Sequence, residues 1–245
     1  MRVYVGFDPR DTLAFEVAAF SLRKHATIPV EIIPLKDWDL RQSGFFYRSA
    51  WLNEDGQKFD GRDGVPCSTD FSYLRFLVPI LERHGEEPVL FTDPDVLWRA
   101  DVAELAAIPQ SQDRALWCVK HDYRPPETSK MTGTLQRLYA RKNWSSVMLL
   151  RPSRNRKLTK YLVNNQSKDW LHKLLWLDDA DIGDLPEKWN WLAGWSSPDI
   201  DPALVHFTRG TPDMRGHEDE PYHDEWWAAL KESGLDLASF PVAKR

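Results

Sequence analysis

Cysteine is scarce in this chain: Cys67 and Cys118 are the only two in 245 residues. They make neither a ligand-spaced pair nor a disulfide framework, so a thiolate zinc site and an oxidised scaffold are excluded, and the cytoplasm is the expected compartment. Long hydrophobic runs are missing too, and no stretch approaches the roughly 18 apolar residues that a membrane span needs. The N-terminus enters an apolar strand pattern at once and shows no signal-peptide pattern. Positive charge is not in excess. The net charge of −5 argues against broad nucleic-acid binding, which needs a basic face. Internal repeats and low-complexity tracts are absent.

What remains is an ordinary globular composition, 42% hydrophobic and 28% charged. The length suits one large α/β domain or two small ones, with a substantial core in either case. The basic stretch Arg151, Arg154, Arg156, Lys157, Lys160 reads as a solvated helix face, with a phosphate or peripheral membrane contact as the alternative. Twelve tryptophans is a high count; aromatic faces fill cores but also stack on sugars and bases.

Strand and helix patterns interleave along the chain. Arg2 to Phe7 reads as a buried strand, followed by the turn Asp8-Pro9-Arg10-Asp11 and a helix with Leu13, Val17, Phe20 and Leu22 at helical spacing. Val30 to Leu35 is a second strand. Residues 36–67 lack a clear period and are expected to form a long functional loop. A helix is predicted over Ser68–His84, then the strand ending at Thr92, then strands over Ala115–Val119 and Ser146–Leu150. A polar loop with Pro125, Pro126 and Gly133 lies between those last two. Helices near 154–164 and 168–176, a short strand over Ala203–Phe207 and a closing helix over Tyr222–Ser233 complete the reading. Such interleaving predicts a single α/β domain, its mostly parallel central sheet flanked by helices. Ligands of such sheets bind beyond the C-terminal strand ends.

Two features sit at those ends: Asp8 after the first strand, and Asp93-Pro94-Asp95 after Val89-Leu90-Phe91-Thr92. Pro94 has no N–H and a fixed φ, so it stops sheet pairing and stiffens the turn. Carboxylates at i and i+2 can converge on one hard divalent cation and leave positions open for phosphate oxygens and water. The plain alternative is an acidic turn after a strand.

Five segments in order carry a family resemblance: Val3–Asp8, Ser72–Pro79, Phe91–Asp95, Lys142–Leu150 and Leu204–Gly210. Together they resemble the family 8 glycosyltransferases, the glycogenin and galactosyltransferase-like group with the A-type nucleotide-sugar transferase fold. That resemblance implies a Rossmann-like single domain over 1–245, with a nucleotide-binding half (1–100), an acceptor and metal-completing half (101–215) and a C-terminal helix (216–245). It implies a nucleoside-diphosphate sugar donor, uridine-linked, and transfer to a saccharide or other hydroxyl acceptor with retention of anomeric configuration. Asp93, Asp95 and His206 become metal ligands for Mn²⁺, with Mg²⁺ as the alternative. Asp8, Arg75, Asp93, Asn143, Ser145, Arg209 and Gly210 become donor contacts.

The chain departs from the family pattern in three places. The histidine segment continues to Thr211-Pro212-Asp213 instead of Lys-Pro-Trp, so Arg209 or Arg215 takes the place of the diphosphate-binding lysine. The Asn-Ser-Gly stretch reads Asn143-Trp144-Ser145-Ser146. The Asp-Gln-Asp counterpart is read as Leu177–Ile182, with Asp178 or Asp179 expected near the anomeric carbon as catalytic residues. No carboxylate pair stands out as nucleophile and acid, so front-face attack by the acceptor hydroxyl is the expected chemistry.

Plainer roles compete for each residue. His206 would also end a core strand, Arg75 would pair with Asp70 or Glu82 along a helix, and Asp8 would cap the next helix. Asn143 is either a turn residue or a sugar contact. Trp189, Trp191 and Trp195 form an acceptor wall or core packing, and the acidic run 216–225 is a second metal site or a solvated helix start. A nucleotidyltransferase and a non-catalytic nucleotide- or carbohydrate-binding protein are the rival functions.

Overall fold

The computed structural model describes residues 1–108, 112–122, 141 and 143–235. The predicted loop around Pro125, Pro126 and Gly133, and Lys142, lie outside the described residues.

Strand β1 (Arg2–Gly6) leads through a 3-10 turn at Pro9–Asp11 into helix α1 (Thr12–His25), which returns the chain to β2 (Glu31–Leu35). Helix α2 (Asp37–Gln42) and an antiparallel hairpin, β3 (Ala50–Leu52) with β4 (Lys58–Asp60), follow. The span 36–67, expected to be a long functional loop, therefore contains a helix and a hairpin. Its strands have three residues each, too short to show a period, although the turn carries Asp55-Gly56 with Gly56 at φ +77°.

The helix expected over Ser68–His84 is broken. A 3-10 turn at Leu74–Leu77 precedes the four-residue helix α3 (Val78–Leu81), and left-handed Arg83 and His84 close the segment. Pro79 has no N–H to continue the ladder back to Arg75, which separates the two pieces.

The chain then forms β5 (Val89–Thr92), β6 (Val96–Trp98), α4 (Ala103–Ala107), β7 (Leu116–Cys118) and β8 (Val147–Leu150). Helices α5 (Lys160–Asn165) and α6 (Lys168–His172) are shorter than predicted. Thr159 and Ser167 cap their N-termini through side-chain oxygens. Strands β9 (Ile182–Asp184), β10 (Trp191–Leu192) and β11 (Leu204–His206) precede α7 (His223–Glu232).

The main sheet has six strands in the order β2-β1-β5-β8-β7-β9. Three of its five pairings are parallel, and β8 runs antiparallel between β5 and β7. This is the mostly parallel, helix-flanked α/β sheet that the interleaved pattern predicts. Both faces are buried. Val3, Val5, Leu90, Trp117 and Leu149 pack on one side, and Tyr4, Phe91, Leu116 and Met148 on the other.

A second sheet, β10-β11-β6, grows from the end of β5. Pro94 lets the chain leave the main sheet after Thr92 and pair β6 antiparallel with β11. In that register His206 lies opposite Val96, and Phe207 N donates to Asp95 O at 2.9 Å. Asp93 N donates to Ser146 O at 2.8 Å, so the two acids are held by different sheets. No helix among the described residues is long and apolar enough to cross a membrane.

Candidate metal and nucleotide site

Asp93, Asp95 and His206 converge, with one ligand atom of each within 4.8 Å of the others. It is the one such cluster among the described residues, and the acidic run 216–225 forms none. His206 Nε2 lies 3.4 Å from Asp95 Oδ1. Asp93 Oδ1 and Asp95 Oδ1 are buried, each facing a charged neighbour (Arg75 Nη1 at 2.9 Å, His206 Nε2 at 3.4 Å) without a well-aligned hydrogen bond. Two carboxylate oxygens and one imidazole nitrogen, converging on one point, fit a divalent cation.

The electrostatics agree. Burial pushes the Asp93 carboxyl up to about 6 against the pull of Arg75, and neighbouring Asp95 adds to the rise. Burial would lower His206, but Asp95 outweighs it and holds the imidazole above its ordinary value. His121 is held down to about 4 by burial and by His206.

Arg75 Nη1 donates to Ser145 O at 2.9 Å and lies 2.9 Å from Asp93 Oδ1. Its guanidinium sits over the Phe71 and Phe91 rings, 5.3 and 5.0 Å from their centroids. The alternative partners are engaged elsewhere: Asp70 with Lys58, and Glu82 with Arg2 and Tyr4.

A cavity of about 470 Å³ opens over the triad. Asn143 and Ser145 line it beside Arg75. Asn143 is left-handed at φ +63°, and its buried Nδ2 has no hydrogen-bond partner. Four cations face the space: Arg10, Arg75, Lys168 and Arg215.

Other expected contacts lie elsewhere. Asp8 is wholly buried and does not line the cavity. Its Oδ1 accepts from Arg10 N and Nε, and its Oδ2 from Arg10 Nη2 and Asp70 N. Burial raises this carboxyl, but those bonds outweigh it and hold the group below its ordinary value. Asp8 thus caps the 3-10 turn, and Arg10 is the residue presented to the cavity.

Arg209 and Gly210 are also off the cavity wall, where Thr208 and Arg215 stand instead. Arg209 turns toward Glu220 at 4.0 Å and crowds Gly194, whose φ of +71° needs glycine. Asp178 and Asp179 are exposed, and Asp179 pairs with Arg141. Neither acid lines the cavity, whereas Lys168 and His172 of α6 do. His172 is buried, with Nδ1 3.2 Å from Ser145 Oγ. Trp189 and Trp191 are core residues, and Trp195 is exposed.

Four residues that sequence reasoning missed are Arg10, Lys168, His172 and His217. Arg10 had a signal in its position beside Asp8; the others sit in short or irregular elements with none.

Solved structures share this fold. Galactosyltransferase LgtC, in complex with donor and acceptor sugar analogs, superposes with a TM-score of 0.58 at 14% identity, covering 95% of this chain and 96% of that one. Glycosyltransferase GlyE of Streptococcus pneumoniae TIGR4 gives a TM-score of 0.58 at 12% identity over 97% of this chain. The match spans 61% of the GlyE chain. At these identities the likeness establishes the glycosyltransferase A-type fold. No protein-family profile matches the chain. A plant protein is much nearer in sequence: Protein CDI of Arabidopsis thaliana is 39% identical over 238 residues, 94% of this chain and 86% of that protein. Identity at that level over nearly the whole length means that this chain belongs to the family of Protein CDI.

Proposed function

We propose that the protein is a metal-dependent glycosyltransferase of the family 8 type, moving a sugar from a nucleoside-diphosphate sugar to an acceptor hydroxyl. The single observation that carries this reading is the convergent Asp93–Asp95–His206 cluster lining a cavity with four cations. That charge pattern suits a ligand with a diphosphate and a sugar. LgtC, whose fold this chain shares, was solved with donor and acceptor sugar analogs.

Asp93, Asp95 and His206 would hold the cation, Mn²⁺ by the mixed oxygen and imidazole donor set, with Mg²⁺ as the alternative. A divalent ion there supplies Lewis-acid stabilisation of the charge that develops on the leaving diphosphate. Arg75 and Arg215 hold phosphate oxygens, with Arg215 taking the lysine's role that the histidine segment lacks. Arg10 and Asp11 lie beyond the β1 end, where a nucleoside extends in sheets of this kind. Uridine is the proposed base. Asn143 Nδ2 is left for a sugar hydroxyl, and Ser145 and His172 border the same side.

Among the described residues, the carboxylates lining the cavity are Asp93, Asp95 and Asp11, with no further acidic pair. This supports retention by front-face attack, the leaving phosphate taking the acceptor proton. The buried free thiols of Cys67 and Cys118 support a cytoplasmic setting.

The test is a panel of nucleotide sugars with Mn²⁺, scoring diphosphate release and the anomeric configuration of the product. Release from a uridine-linked donor with retention is expected. Binding without release would leave a non-catalytic binding protein, and clean inversion would remove the front-face chemistry.

A further inference from the structure

We propose that Asn190 is a positioning residue that fixes His206 as the Nδ1–H tautomer and so aims a bare Nε2 at the cation. The idea rests on the metal-dependent reading above.

Asn190 is completely buried at the end of the 3-10 turn Glu187–Asn190, directly before β10. Its Nδ2 donates to Ser146 Oγ at 3.0 Å and to Asn143 O at 3.3 Å. A carbonyl oxygen only accepts, so the amide nitrogen has to face Asn143. Ser146 Oγ has already given its proton to Asn143 O at 2.7 Å, so it too can only accept from Asn190. Both neighbours therefore force one orientation of the amide.

The remaining atom, Asn190 Oδ1, lies 2.8 Å from His206 Nδ1. An amide oxygen cannot donate, so Nδ1 carries the hydrogen. In the neutral ring Nε2 is then the basic nitrogen, and it points to the Asp95 side, where the three ligand atoms converge. A ligating histidine commonly has its other nitrogen held in this way, and loss of the partner costs metal affinity.

The orientation originates at left-handed Asn143, whose carbonyl accepts from both Ser146 Oγ and Asn190 Nδ2. The chain of bonds thus runs from the main-sheet entry at Asn143 and Ser146 to a ligand on the second sheet. Asn143 also lines the cavity, so metal and donor sites share one polar network.

The test compares wild type, Asn190→Leu and Asn190→Asp. Histidine ¹⁵N NMR of metal-free protein at a pH where the ring is neutral reads the tautomer, and His206→Gln assigns the signal. Calorimetry with Mn²⁺ alone reads affinity, and thermal melting without metal checks the fold. Wild type should show Nδ1–H at His206. N190L should lose that tautomer and weaken Mn²⁺ binding by about 10–100-fold, with cooperative melting kept. N190D, which still accepts from Nδ1–H, should keep the tautomer and bind Mn²⁺ more tightly than N190L.

An Nε2–H tautomer in wild type overturns the proposal, as does N190L with wild-type Mn²⁺ affinity. Should N190L fail to fold, the wild-type tautomer and N190D decide. Wild type that shows Nδ1–H but binds no Mn²⁺ would instead remove the metal-dependent function.

Discussion

Arg75 Nη1 rests 2.9 Å from Asp93 Oδ1, so the mostly buried acid is balanced by a buried cation. Arg75→Leu should cost the metal-free protein about 3 kcal/mol, because Asp93 loses its counter-charge. A bound cation would replace that charge. The rise in Tm on adding Mn²⁺ should therefore be larger in the variant than in wild type; a smaller rise contradicts the pairing.

Asp95→Ala should abolish both the Mn²⁺-linked stabilisation and turnover. At a metal concentration near 100 times Kd the wild-type gain is about 2.7 kcal/mol, or roughly 5–10 °C in Tm for a chain of this size. His206→Ala should weaken Mn²⁺ affinity while the metal-free protein still melts cooperatively, at a lower Tm because buried Asn190 Oδ1 loses its donor. A full Mn²⁺ response in Asp95→Ala would empty the proposal of its centre.

The metal response should depend on pH. Burial raises the Asp93 carboxyl to about 6, above its ordinary value of 3.8. A raised acid contributes stability that is complete below the ordinary value and is lost as pH rises through about 6. A cation requires the ionised form, so protons compete with it. The Mn²⁺-induced Tm shift should be small near pH 5 and full near pH 7.5. A flat profile would show that Asp93 is not a ligand.

Asp8 has the opposite sign. Its lowered carboxyl contributes stability that is present above the ordinary carboxylate range and lost as pH falls through the depressed value. Asp8→Ala would strip the guanidinium of half-exposed Arg10 of its partner and orphan the Asp70 amide, at about 2 kcal/mol. Arg10→Ala should weaken nucleoside-diphosphate binding and also lower Tm, because buried Asp8 loses its counter-charge. Unaltered affinity would take Arg10 out of the site.

Exposed Asp178 and Asp179 should be dispensable. Alanine at either should leave diphosphate release within about twofold of wild type, as is usual for surface positions. His172→Ala should lower release without a change in Mn²⁺ affinity. A large loss in Asp179→Ala would restore the acid to the catalytic wall.

The Asp pair was legible because β5 is a continuous apolar run ended by proline, a pattern local enough to read directly. The same holds for β1, α1, β8 and β11, whose buried residues recur at the expected spacing. That Asp178 and Asp179 lie off the cavity wall was not legible, for the converse reason. Residues 160–184 form short pieces, and nothing local to the chain says which one turns toward the cavity. Likewise Ser68–His84 carries a helical apolar pattern, but its residues 71–79 are all buried and it is broken at Pro79, so its pattern does not report one face.

The chain itself determined its class: alternating buried strands and helices, two acids held apart by a proline, and a histidine closing an apolar strand. Whether those three side chains meet was decided by tertiary structure alone, through the register that sets β6 against β11. Asn190 joined them only on folding, because a hydrogen bond between residues far apart in sequence is written in geometry and not in local pattern. Arg10 faces the cavity, and Asp8 does not, because a buried carboxylate must satisfy its oxygens inside the protein before it can meet a ligand.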